Sequence, residues 1–166
     1  NPVVPTIFYS FLRPSLLSSR GVSKNWKVAM ASLGPDEIPE ELARTAFHNG
    51  EEMAWQQGGC AVVIEWLRSS GYATLGMELW LPDSDGIRTA INTKAGNAIY
   101  CMACDPGEGE PWKEYVERSA TATAQSIASF RWPEDSLEPP RPVYFNITWA
   151  SRPWFREHSR VKFADD

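Results

Sequence analysis

Residues 72–104 read YATLGMELWLPDSDGIRTAINTKAGNAIYCMAC, and the alternation at their start decides the fold class. Ala73, Leu75, Met77, Leu79 and Leu81 fall on one face, and Tyr72, Thr74, Gly76, Glu78 and Trp80 on the other. That period of two predicts a strand with one buried face. Pro82-Asp83-Ser84-Asp85-Gly86 then has turn chemistry: Pro presets φ, Asp caps the turn, and Gly accepts a positive φ. Ile87–Thr93 reads as the returning strand, 94–97 (KAGN) as a second turn, and Ala98–Cys104 as a third strand. Short turns between three strands predict an antiparallel meander.

Working outward, Pro111 opens a helix that runs through Phe130. Its stripe is Trp112, Tyr115, Val116, Ser119, Thr123, Ile127 and Phe130, and small residues beside it allow close packing. Four prolines make residues 133–142 a stiff extended connector. Val143–Ala150 is a fourth alternating strand. On the N-terminal side, acidic residues flank Pro39, and Ile38, Leu42, Ala46, Phe47, Met53 and Ala54 recur at helical spacing. Cys60–Ser69 is apolar almost all round and reads as a buried helix, with Gly71 as its C′ residue. The order predicts an α+β domain with two or three helices on one face of a mostly antiparallel sheet. The other face would carry Glu78, Trp80, Asn92 and Tyr100.

The chain has 166 residues, 43% of them hydrophobic and 22% charged, so it is not intrinsically disordered. This length predicts one domain over 1–166, with an N-terminal arm at 1–29 and a C-terminal tail at 151–166. Within the arm, Thr6–Leu12 and Trp26–Ala31 read as short strands. The opening Asn1-Pro2-Val3-Val4-Pro5 has no apolar signal core, which suggests a processed form or a piece of a longer protein. No apolar run approaches a membrane span. The net charge of −5 disfavours nucleic acid. It hides a segmented chain: residues 1–29 are +4, 30–66 are −6 and 141–163 are +4. The ends and the acidic segment therefore match in charge within one fold.

Three cysteines are too few for a disulfide framework, and reduced thiols point to the cytoplasm. Cys101 and Cys104 have the spacing of a redox pair or half a zinc site. With 105–109 (DPGEG) next and no second such pair, buried strand thiols fit better. No metal and no cofactor is expected. Neither Asp83-Ser84-Asp85-Gly86 nor Gly107-Glu108-Gly109-Glu110 completes a calcium or phosphate loop. Asn146-Ile147-Thr148 matches a glycosylation sequon but sits in a strand.

Two sets of candidate catalytic residues remain. His48 and Glu52 stand at i and i+4 on the expected helix, a spacing for two ligands or an acid–base pair. Glu78 lies mid-strand between Tyr72 and Trp80, where desolvation raises a carboxyl pKa, unless Arg88 pairs with it across the hairpin. Candidate binding residues are Trp80, Tyr72, Trp149 and Trp154 with Arg152 and Arg156, since Trp and Arg dominate interface hot spots.

The leading expectation is a small acidic module that binds a protein partner. A toxin-neutralising immunity protein fits by size and charge, since a compact acidic domain caps a basic active site. One alternative is a small hydrolase or transferase using Glu78 or His48/Glu52. The other is a carbohydrate- or nucleotide-binding domain built on exposed tryptophans. The sequence leaves the oligomeric state open.

Overall fold

The alternating stretch forms the longest strand, and a single bulge changes which of its residues meet the helices. The computed structural model describes residues 38–165. The expected arm at 1–29 and its two short strands lie outside the described residues. In chain order the elements are α1 (Glu40–Ala43), β1 (Phe47–Asn49), β2 (Glu52–Gln56), α2 (Gln57–Ser69), β3 (Ala73–Asp83) and β4 (Gly86–Arg88). There follow β5 (Ala90–Thr93), β6 (Gly96–Ile99), β7 (Cys101–Ala103), α3 (Trp112–Ser129), β8 (Tyr144–Ala150) and α4 (Arg152–His158).

The fold is α+β, and every strand pairing among the described residues is antiparallel. The main sheet runs β1-β2-β8-β3-β4, with β7 also paired to β3. β8 therefore lies between β2 and β3. β5 and β6 form a separate two-stranded ribbon. The expected three-strand meander is thus divided: each of its later strands breaks in two. Residues 86–88 and 101–103 stay with β3, while 90–93 and 96–99 leave to pair with each other.

One face of the sheet packs against α2 and α3. Register places Leu79, Phe145 and Trp55 side by side there, with Met77 beside Ile147. Val63, Ile64 and Leu67 of α2 and Ala120 and Ile127 of α3 cover them. The bulge falls between Thr74 and Gly76. It turns Thr74, expected on the opposite face, toward α3, where its hydroxyl meets Thr123 and its amide donates to Ser119 Oγ. At Gly76 a Cβ would collide with the Met102 carbonyl oxygen, so only glycine lets β7 approach β3.

The helix expected over 38–54 does not form beyond Ala43. Asn49-Gly50-Glu51 makes a hairpin turn, with Asn49 paired to Glu52 and Gly50 at φ +62°. A glycine first in a two-residue loop favours a hairpin, and Met53 and Trp55 gain a core position as strand residues. α2 ends as expected: the amides of Gly71 and Tyr72 donate to the carbonyls of Arg68 and Leu67, and Tyr72 stacks on Trp66. All seven residues of the expected α3 stripe are buried.

A smaller cluster joins Trp112, Tyr115 and Val116 of α3 to Phe155 of α4, Phe163 and the Ala73/Ala150 pair. The C-terminal tail is docked there. Its described ion pair, Arg152 with Asp165, is local. Among the described residues no ion pair links the tail to residues 38–52. Aromatic packing on α3 places the tail. No helix among the described residues is long and apolar enough to cross a membrane.

Candidate functional site

The sheet face away from α2 and α3 carries Glu78, Trp80, Asn146, Tyr144 and Cys101, by register. The Trp80 indole N–H donates to Glu78 Oε1 at 2.8 Å, and Phe47 packs on Tyr144 with ring centroids 5.0 Å apart. Glu78 and Trp80 are therefore together. Two other residues expected on this face are elsewhere: Tyr100 packs edge-on against Phe130 on the helix side, and Asn92 has left with the β5–β6 ribbon. Tyr72 precedes the strand and stacks on Trp66.

His48 and Glu52 are not brought together. His48 pairs in register with Met53, a core-facing residue, while Glu52 pairs with Asn49. Adjacent residues of a strand face opposite ways, so the two side chains stand on opposite faces of the hairpin. The His48 ring instead bonds the Ala43 carbonyl through Nε2 at 2.9 Å. The Arg88–Glu78 pairing is excluded by the same logic, because Arg88 is opposite Leu81.

Two of the candidate tryptophans are inside the protein: Trp80 is 3% exposed and Trp149 7%. The Trp154 ring stacks on His158, its centroid 4.8 Å away. Arg152 is held by Asp165, and Arg156 lies on α4 beside the buried Phe155. The tail aromatics serve packing, which weakens the reading that places a ligand on exposed tryptophans.

The C-x-x-C cysteines also diverge. Cys101 is opposite Glu78 on the face away from α2 and α3, and Cys104 lies in the smaller cluster near Tyr115. The Tyr115 hydroxyl donates to the Cys104 carbonyl at 2.6 Å. Arg118 clamps Glu110 with two bonds and also reaches Cys104 Sγ at 3.4 Å. Burial pushes both thiols up from the ordinary cysteine range, despite Arg118 beside Cys104. Burial pushes the Cys60 thiol up to about 12. No group of three metal-ligating side chains is found among the described residues.

A cleft of about 540 Å³ opens elsewhere, where the ribbon meets the proline-rich segment 133–142. The segment is pinned to the ribbon by Leu137 N–H to Asn92 O at 2.8 Å, Lys94 N–H to Asp135 O at 3.0 Å, and a Thr93–Ser136 bridge. On one wall Arg88 holds Glu138 with two bonds, 2.6 and 3.1 Å, and Asp83 with a third of 3.1 Å. Arg141 completes this ladder, with Asp83 Oδ2 3.5 Å and Glu138 Oε2 3.8 Å away. The Arg88 bonds hold the Glu138 carboxyl below its usual range, and the Ser84 amide does the same for Asp83. Asn92 and Asn97, paired across the ribbon, form the other wall. Leu137 stands at the cleft and is 66% exposed.

Sequence reasoning missed this cleft. The available signal was a proline-rich connector carrying Leu137 among charged residues, read only as a spacer.

The chain matches no protein-family model, no curated protein and no solved structure. The geometry alone carries the functional reading.

Proposed function

We propose that this chain is a binding module that engages a protein partner, with the cleft beside Leu137 as the contact surface. The carrying observation is Leu137 itself: a large apolar side chain, 66% exposed, on backbone tied to Asn92. Holding an apolar residue out in water on a braced loop has no packing benefit to the monomer. An apolar centre within a ring of charged and polar groups has the layout of a protein interface, apolar at its core and polar at its rim. The chain holds 21 acidic and 16 basic side chains, net −5. That field steers a basic partner toward the chain, which supports the narrower toxin-neutralising form of the reading.

The hydrolase alternative rests on Glu78 without His48 or Glu52, since the hairpin separates that pair. Its best supporting contact is the Trp80 hydrogen bond.

The test is affinity capture with the full chain, comparing Leu137→Asp with Val62→Asp. Val62 is 59% exposed on α2, far from the cleft in the chain, and serves as the control. Partners captured by the unaltered chain and the Val62 variant, and lost with Leu137→Asp, support the proposal. Equal capture by both variants overturns it.

A further inference from the structure

We infer that the cleft takes an extended, uncharged segment of a polypeptide, gripping its main chain with the carboxamides of Asn92 and Asn97 and seating one apolar side chain against Leu137. This rests on the reading of the cleft as the contact surface and names the chemistry of what enters it.

The two asparagines carry the argument. They are opposite each other in the β5–β6 register, so their side chains leave the same face of the ribbon. Both are exposed, and neither side-chain amide takes a hydrogen bond among the described residues. A carboxamide has the donor and acceptor of a peptide group, so it pairs with main chain without reading side chains. The backbone beneath them is braced. Asn92 N–H donates to Glu138 Oε1 at 3.3 Å, and Asn92 O accepts the amide of Leu137. The braced backbone leaves the two carboxamide side chains as the groups to be ordered when a ligand arrives.

The opposite wall argues against a charged ligand. Each carboxylate of the ladder already faces a guanidinium, so an incoming anion meets Asp83 and Glu138 while an incoming cation meets Arg88 and Arg141. Displacing Arg88 from Glu138 would break two charge-assisted bonds at once. The wall therefore acts as a charge-balanced guide. A nucleotide lacks an aromatic platform here, because the neighbouring Trp132 turns inward and donates its indole N–H to the Glu138 carbonyl. The cleft is shallow and open to solvent, a shape across which an extended segment can lie.

The experiment is selection from a phage-displayed random dodecapeptide library on the immobilised full chain, followed by affinity measurement with synthetic peptides. The expected peptides share one apolar position and show no net charge bias. Affinity should fall about tenfold with Asn92→Ala and again with Asn97→Ala, and stay unchanged with Asn49→Ala, an exposed asparagine on β1. These variants remove no intramolecular side-chain bond seen among the described residues, and their melting temperatures should match the parent.

Three results would overturn the inference: peptides that bind the Asn92→Ala/Asn97→Ala double variant undiminished, selection of uniformly acidic or basic peptides, or failure to select any peptide. A glycan array in parallel identifies a saccharide, the other neutral ligand of a carboxamide-lined cleft, and binding only there also overturns it. The two proposals fail separately. Partner capture that needs Leu137 but not the asparagines leaves the protein-binding reading standing and removes this one.

Discussion

The hydroxyls of Thr74 and Thr123 meet at 3.0 Å in a fully buried contact between β3 and α3. The β3 bulge creates this contact by turning Thr74 toward α3. A buried hydroxyl without a partner costs about 1–3 kcal/mol. Thr123→Val should therefore destabilise by that order in urea unfolding, while the Thr74→Val/Thr123→Val pair recovers most of the loss. Additive single effects would show that the two hydroxyls do not share a bond.

Two glycines make opposite predictions. Gly76→Ala drives a methyl into the Met102 carbonyl, so β7 must detach from β3, at a cost of more than about 2 kcal/mol. Gly58, in the first turn of α2, has open space around a Cβ. Gly58→Ala should stabilise by about 0.5–1 kcal/mol through the lost freedom of the unfolded chain. Thermal melts of the two variants should move in opposite directions.

Acid stability depends on the paired carboxylates. The bonds from Arg118 hold Glu110 below the ordinary range, and those from Arg88 do the same for Glu138. A depressed folded pKa gives stability that is present above the unfolded value, near about 4.3, and lost as pH falls through the folded value. Stability should therefore decline below about pH 4.5. Glu110→Gln and Glu138→Gln should each lower stability at pH 7 and reduce the drop between pH 7 and pH 3. An unaltered pH profile in both variants would contradict the pairing.

Thiol chemistry provides a fourth check. Across β7, Cys101 and Cys104 are three residues apart in extended chain, about 10 Å, beyond disulfide reach. Mild oxidation should leave the mass of the monomer unchanged. An aromatic disulfide reagent at pH 7.5 should label Cys101, the half-buried thiol, before Cys60 or Cys104, which are both buried. Formation of a 101–104 disulfide without unfolding would refute the strand placement.

The α+β class and α3 were legible because their signals are dense: one strand of strict alternation and a seven-residue stripe at helical spacing. Residues 38–54 were misread because Ile38, Leu42, Met53 and Ala54 fit a helical period, while the hairpin signal is a single glycine after Asn49. Long-range packing of Met53 and Trp55 against β8 outweighed local propensity there. The bulge at Thr74–Gly76 was invisible in the alternation, since only its partners in α3 and β7 require it. The cleft was invisible for a related reason. It joins residues 83–97 to 137–141, and nothing in either segment points to the other.

The placement of β8 governs how the protein comes into being. Its two neighbours belong to residues 52–56 and 73–83, and it enters between them from residues 144–150. A nascent chain that has emerged as far as the end of α3 holds β2 and β3 without the strand that joins them. Both edges then carry unsatisfied backbone groups and offer sites for mispairing with other chains. Completion waits for contacts separated by about 64 to 92 residues, and such non-local pairing makes folding slow. Deletion of 144–150 should accordingly abolish the native state as a whole, leaving an aggregation-prone chain rather than a smaller stable sheet.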